Sequence, residues 1–145
     1  MRVREILKAK GTRIISIRLR ETVAAAAKMM VTENIGAIVV TDVVLTEGST
    51  VVGMLSERDI VRALVSNTSG QDIMKMPVEK LMTKKLISCE PDDYLADVME
   101  KMDRHSIRHV PVLEDHTLVG VLSVRDVIHV LRGGAAEGDM IAPAA

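Results

Sequence analysis

A stretch of about twelve residues occurs twice in this chain, and any fold must accommodate both copies in the same way. Gly53-Met54-Leu55-Ser56-Glu57-Arg58-Asp59-Ile60-Val61-Arg62-Ala63-Leu64 returns as Gly120-Val121-Leu122-Ser123-Val124-Arg125-Asp126-Val127-Ile128-His129-Val130-Leu131. Gly, Leu, Ser, Arg, Asp and the final Leu recur at identical spacing. Each copy reads as a short apolar strand running into a helix, with Ser and Asp at the junction. Such a junction gathers unpaired backbone N–H groups and side-chain oxygens at one point, where a phosphate or a ribose can be held. The same Ser-x-x-Asp pattern is also a capping box, with the acid complementing the helix dipole. Taken alone, either motif fits a cap better than a ligand site.

The surrounding chain repeats as well. Val3 to Lys8 is a short amphipathic turn or helix stopped by Gly11, and Arg13 to Ile17 is a β-branched strand. Glu21 to Glu33 reads as a helix whose buried face carries Val23, Ala26, Ala27 and Met30. Ala37 to Val40 is an interior strand, Glu47-Gly48-Ser49 a turn, and Val51 to Leu55 the strand entering the first motif. Ser66 to Pro77, broken by Gly70 and Pro77, reads as a connector.

In the second copy Val78 to Met82 echoes the opening helix, and Leu86 to Cys89 echoes the first strand. Pro91-Asp92-Asp93 starts a helix with Leu95, Val98, Met99 and Met102 on its inner face, and Val110-Pro111-Val112 stands where Ile38-Val39-Val40 stood. The offset between copies is about 72 residues early and about 67 at the motif, because the hairpin loop after Val40 is the longer one. Gly133-Gly134 ends the last helix, and Ala135 to Ala145 reads as a mobile tail. Each half is thus β-α-β-β-α with a short leading helix. The β-α-β crossover makes its strands parallel and right-handed, and the hairpin adds an antiparallel strand. One such half buries too little surface to be secure alone, so two are expected to pack about a pseudo-twofold axis.

Composition narrows the function classes. The chain has no Phe or Trp, a single Tyr94 and ten Met, so its core is built from small aliphatic and thioether pieces. A net charge of −1 offers no electrostatic case for nucleic acid or an anionic membrane surface. The single Cys89 forms no internal disulfide, no apolar run reaches membrane-spanning length, and the N-terminus lacks a signal-peptide core, so a cytoplasmic protein is expected. There is no Gly-x-Gly-x-x-Gly, Walker A loop, His-Glu-x-x-His or Cys-x-x-Cys, which argues against an enzyme. His105 and His109 have a metal-chelating spacing, but no Cys or acid completes a set. His116 and His129 read as surface residues, and Cys89 as a buried apolar one.

The order of elements, the paired Gly-x-x-Ser-x-x-Asp junctions and Arg108-His109-Val110-Pro111-Val112 resemble a tandem pair of CBS (cystathionine-β-synthase) domains. The resemblance runs from Val3 to Arg132, with repeat 1 at 3–66, a linker at 67–77, repeat 2 at 78–132 and the tail at 133–145. It implies an α+β fold of two pseudo-symmetric CBS repeats packed as one Bateman module. It also implies a stand-alone regulatory module that binds AMP, ADP, ATP, NAD(H) or S-adenosylmethionine between its halves, signals to a separate target protein and forms a homodimer. The helices from Glu21 and Asp93, with those after Ser56 and Ser123, are the candidates for that self-association.

Carried over residue by residue, the resemblance gives Asp59 and Asp126 the ribose hydroxyls, and Ser56 and Ser123 the ribose or phosphate. The backbone around Ile15-Ser16-Ile17 and Ile87-Ser88-Cys89 would face an adenine, and Ala37-Ile38 and Val110-Pro111 would line the pocket. Arg108 and His109 would meet phosphate, with Arg58 and Arg125 either reaching phosphate or solvated. The chemistry is compatible: a carboxylate accepts both hydroxyls of a vicinal diol, and a guanidinium suits phosphate. The first half departs from the pattern, having Gly36-Ala37 where the second has Arg108-His109. Two unequal sites are therefore expected, with the phosphate end complete only near Asp126. The alternative is an interaction dimer that needs no ligand, whose Ser and Asp only cap helices.

Overall fold

The computed structural model describes residues 1–11, 13–44, 48–67 and 72–133. The chain forms two compact units, Ile15–Leu86 and Met1–Ile14 joined with the chain from Ile87 onward. The units therefore do not follow the sequence repeats, because each repeat lends its leading segment to the other repeat's sheet.

In the first unit β1 (Ser16–Arg18) runs parallel to β2 (Ala37–Val44), which pairs antiparallel with β3 (Gly48–Ser56). Between β1 and β2 lies α2 (Val23–Glu33), and β3 leads directly into α3 (Glu57–Ser66). Thr22 Oγ1 caps α2 by accepting from Ala25 N at 3.1 Å, so the helix starts two residues after the expected Glu21. Asn34 closes it in the left-handed conformation at φ 55°. Val23, Ala26 and Met30 are its buried residues, and with Ile17, Ile38, Val40, Leu55 and Val78 they lie in this unit's apolar interior. Of the turn expected at Glu47-Gly48-Ser49, Gly48 and Ser49 belong to β3, and Glu47 lies outside the described residues. Gly70 of the connector and the tail from Gly134 lie outside them too.

The second unit contains α1 (Val3–Lys10), α4 (Leu95–His105), the hairpin of β4 (His109–Glu114) and β5 (Thr117–Ser123), and α5 (Val124–Leu131). Asp115 and His116, at φ 49° and 66°, make the two-residue turn whose twist suits a hairpin. Val3, Ile6 and Leu7 of α1 are buried together with Leu95, Val98, Met102, Val110, Val112, Leu122 and Val127. Met99, expected on the inner face of α4, is 37% exposed at the edge of the apolar stripe.

Three further expectations are corrected in the second repeat. Leu86 to Cys89 is not a strand; Cys89 alone bridges to Val112, with its N–H donating to Pro111 O at 3.1 Å and its carbonyl accepting from Leu113 N at 2.8 Å. In the first copy the ladder is extended by Leu19 N donating to Thr41 O at 3.1 Å. The matching residue of the second copy is Pro91, which has no N–H to give. Next, the helix expected from Pro91 begins only at Leu95, because Asp93 Oδ2 takes the Glu90 N–H at 2.9 Å and closes a turn. Finally, the helix expected over Val78 to Met82 shrinks to a single 3-10 turn, Val78–Lys80. Thr83 then bonds with Met54 in both directions, at 2.8 and 3.1 Å, so its backbone cannot continue a helix.

The exchange of leading segments is visible bond by bond. Val23 N donates to Met76 O at 2.9 Å, Val78 N to Glu21 O at 2.8 Å and Glu79 N to Leu19 O at 3.0 Å. In the other unit Leu95 N donates to Met1 O at 2.8 Å, Val3 N to Asp93 O at 3.0 Å and Arg4 N to Pro91 O at 2.8 Å. The recurring glycine of the motif makes room for the visitor. A Cβ on Gly53 would lie 2.8 Å from both Met82 Sδ and Thr83 O, and one on Gly120 would lie 2.8 Å from Leu7 Cδ2.

Candidate ligand site at the strand–helix junctions

Both junctions are built alike. Ser56 Oγ accepts from Asp59 N at 3.2 Å, while Asp59 Oδ2 accepts from Ser56 N at 2.9 Å. At the second junction Ser123 Oγ accepts from Asp126 N at 3.1 Å and Asp126 Oδ2 from Ser123 N at 3.0 Å. The capping box is thus complete in each copy. Gly36 O accepts from Glu57 N at 3.0 Å, as Arg108 O does from Val124 N at 3.0 Å, and Ala37 and His109 pair with Ser56 and Ser123. Gly36-Ala37 and Arg108-His109 therefore occupy equivalent places.

The junctions differ in what the exchanged segment brings to the acid. Asp59 meets Thr83, whose hydroxyl lies 3.3 and 3.4 Å from its two oxygens. Asp126 meets Lys10, whose Nζ donates to Asp126 Oδ2 at 2.7 Å and to Val121 O at 2.6 Å. Both side chains of that ion pair are mostly covered, at 25% and 20% exposure. No bond reaches Asp126 Oδ1 among the described residues, since its partners converge on Oδ2. Lys10 and Thr83 carry no motif signal, because each is brought in by the leading segment of the other copy.

Arg108 is exposed, and its guanidinium makes no ion pair or hydrogen bond among the described residues. Arg125 and Arg58 are exposed in the first turns of α5 and α3. His109 departs from the expectation of a basic residue. Burial pushes its imidazole down to about 4; Asp126 opposes that shift, while Lys10, Arg125 and Arg108 reinforce it. His109 is therefore neutral near pH 7, and the cations that act on it are Lys10, Arg125 and Arg108.

Several of the residues expected at the ligand site lie in the interior. Ile17, Ile38, Cys89 and Val110 are buried core members, and Ala37 and Pro111 are buried as well. Both backbone polar groups of Cys89 are taken by β4. Of the segments expected to face adenine, Ser16 is exposed, whereas Ile15, Ile87 and Ser88 are half-buried, with Ser88 O accepting from Lys101 Nζ at 3.0 Å. His105 ends α4 while His109 opens β4, so the two do not share a helical face. His129 is half-buried rather than superficial, and its Nε2 has no hydrogen-bond partner among the described residues.

A CBS-domain family model matches residues 3–66 and 78–133. The chain is 36% identical over 121 residues to an uncharacterized 17.7 kDa protein of Acidianus ambivalens, covering 83% of this chain and 68% of that one. Its fold is similar to a CBS-domain containing protein from Agrobacterium tumefaciens, with TM-score 0.81, 30% identity and coverage of 90% and 99% of the two chains. It is also similar to the CBS domain pair of protein MJ0100 in complex with 5-methylthioadenosine and S-adenosyl-L-methionine, with TM-score 0.76, 26% identity and coverage of 92% and 97%. The doubled junctions, the α+β repeats and these matches converge: the chain belongs to the CBS-domain family. Among the described residues no helix is long and apolar enough to cross a membrane.

Proposed function

We propose that this protein senses adenosine-containing ligands, with AMP, ADP, ATP or NAD(H) held at the junction of Ser123 and Asp126, and signals their presence to a separate partner protein. The observation that carries the reading is Asp126: Oδ2 serves the cap and Lys10, Oδ1 accepts nothing among the described residues, and the side chain retains 20% exposure. One hydroxyl of a ribose diol supplies the donor that oxygen lacks, while its neighbour turns to Oδ2. Arg108, Arg125 and Lys10 are the donors suited to a phosphate beside it. The adenosine compounds in the MJ0100 complex support the ligand class. The site at Asp59 is the weaker one for phosphate, since Thr83 and Gly36-Ala37 add no charge there. A ligand favouring one conformation would shift the protein toward it, which is all that signalling to a partner requires.

Isothermal titration with AMP, ADP, ATP, NAD(H) and S-adenosylmethionine, on protein shown free of co-purified nucleotide, tests the reading. Heat with at least one ligand, abolished by Asp126→Ala, is expected; no heat with any of them refutes it. The complete capping boxes favour the ligand-independent reading as the alternative. Under it, Asp59→Ala and Asp126→Ala lower the melting temperature equally with and without nucleotide. Self-association is part of the proposal. It is supported by apolar residues exposed at matching positions, Val61 and Leu64 on α3 with Ile128 and Leu131 on α5. Sedimentation velocity showing only monomer would remove it.

A further inference from the structure

We infer that Lys10 sets the charge selectivity of the Asp126 site, so that it takes phosphorylated adenosines in preference to uncharged ones; the inference rests on the ligand-site reading above. In the structure Asp126 Oδ2 already accepts from Ser123 N and from Lys10 Nζ, which uses both of its lone-pair positions. A vicinal diol that engages both carboxylate oxygens must displace one of these donors. The Ser123 N–H is fixed by the cap of α5, whereas Lys10 is a flexible side chain at the last position of α1. Gly11, which follows it at φ 89°, closes the helix. Lys10 is therefore the donor that yields.

What happens to the displaced ammonium depends on the ligand. The Lys10 side chain is three-quarters covered and, among the described residues, keeps only Val121 O at 2.6 Å, so losing Asp126 leaves a partly desolvated charge without a counter-ion. A phosphate on the bound ribose supplies that counter-ion, and an unphosphorylated adenosine does not. At the Asp59 junction the acid meets the neutral Thr83, so no ammonium is displaced from it there.

The test measures dissociation constants for AMP and adenosine with wild-type protein, Lys10→Met and Lys10→Arg. The wild type is expected to prefer AMP. Lys10→Met should weaken AMP about tenfold, as for loss of one charge-assisted hydrogen bond, without weakening adenosine, and Lys10→Arg should restore most of the preference. Equal weakening of both ligands, or no change in either, overturns the inference by leaving Lys10 a structural role or none. Wild-type protein that binds AMP and adenosine equally overturns it while the ligand site stands; protein that binds neither overturns the ligand site itself. A second measurement needs no variant. AMP should shield Lys10 of the wild type from an amine-acylating reagent, as read by peptide mass mapping, while adenosine should not. Equal labelling with the two ligands refutes the inference even if Lys10→Met fails to fold.

Discussion

The two glycines of the repeated motif look interchangeable in the sequence, and the structure predicts that they are not. An alanine Cβ at position 53 would sit 2.8 Å from Met82 Sδ and 2.8 Å from the carbonyl oxygen of Thr83. The sulfur lies on a flexible side chain, but the carbonyl belongs to backbone tied to Met54 by bonds of 2.8 and 3.1 Å. Relieving the clash means stretching or breaking that bridge. At position 120 the same Cβ meets Leu7 Cδ2 at 2.8 Å, the end of a side chain that can rotate. Overpacking typically costs about 1–3 kcal/mol. Replacing glycine by alanine returns about 0.4–1 kcal/mol by restricting the unfolded chain. Gly120→Ala is therefore expected near neutrality, and Gly53→Ala is expected to lose about 2 kcal/mol. With a urea m-value of about 2 kcal/mol/M, Gly53→Ala lowers the midpoint of its unit by about 1 M. Adding Met82→Ala should not rescue it, because the Thr83 carbonyl remains. Equal losses at the two positions, or a larger loss at Gly120, would refute the assignment of Thr83 as the rigid obstacle.

Two further predictions concern titration. His109 is held at about 4 against an ordinary 6.5, so the unfolded chain takes up this proton first. The resulting stability is fully present above the ordinary value and is lost as pH falls through 6.5 toward 4, with a ceiling of about 3 kcal/mol at 1.36 kcal/mol per pH unit. His109→Ala, which copies Ala37 of the first repeat, should flatten the acid side of the stability profile in urea titrations between about pH 7 and about pH 4; an unchanged profile refutes the burial argument. The Cys89 thiol is pushed up to about 12, chiefly by burial, so its thiolate fraction near pH 8 is about one in ten thousand. Labelling by a thiol reagent should be slow in the native protein and fast in urea; immediate stoichiometric labelling of the native protein would contradict it.

The sequence by itself determined the repeat, the strand-to-helix junctions and their inequality, because these depend on local spacing. Ser and Asp three apart form the cap wherever a helix begins, and Arg108-His109 against Gly36-Ala37 is legible as residue types in matching positions. It could not show that Pro91 denies the second copy its third strand, since that loss is felt only against the strand it would have extended. Nor could it show that His109 is neutral, because its burial, which lowers it most, and the charges of Asp126, Lys10, Arg125 and Arg108 acting on it are properties of the packed unit. The tertiary structure also decided which segment answers which acid. Leading segments exchanged between repeats bring Thr83 to Asp59 and Lys10 to Asp126 across separations of 24 and 116 residues. Contacts that distant carry no local period or spacing, so the charge beside each acid is decided only when the chain folds.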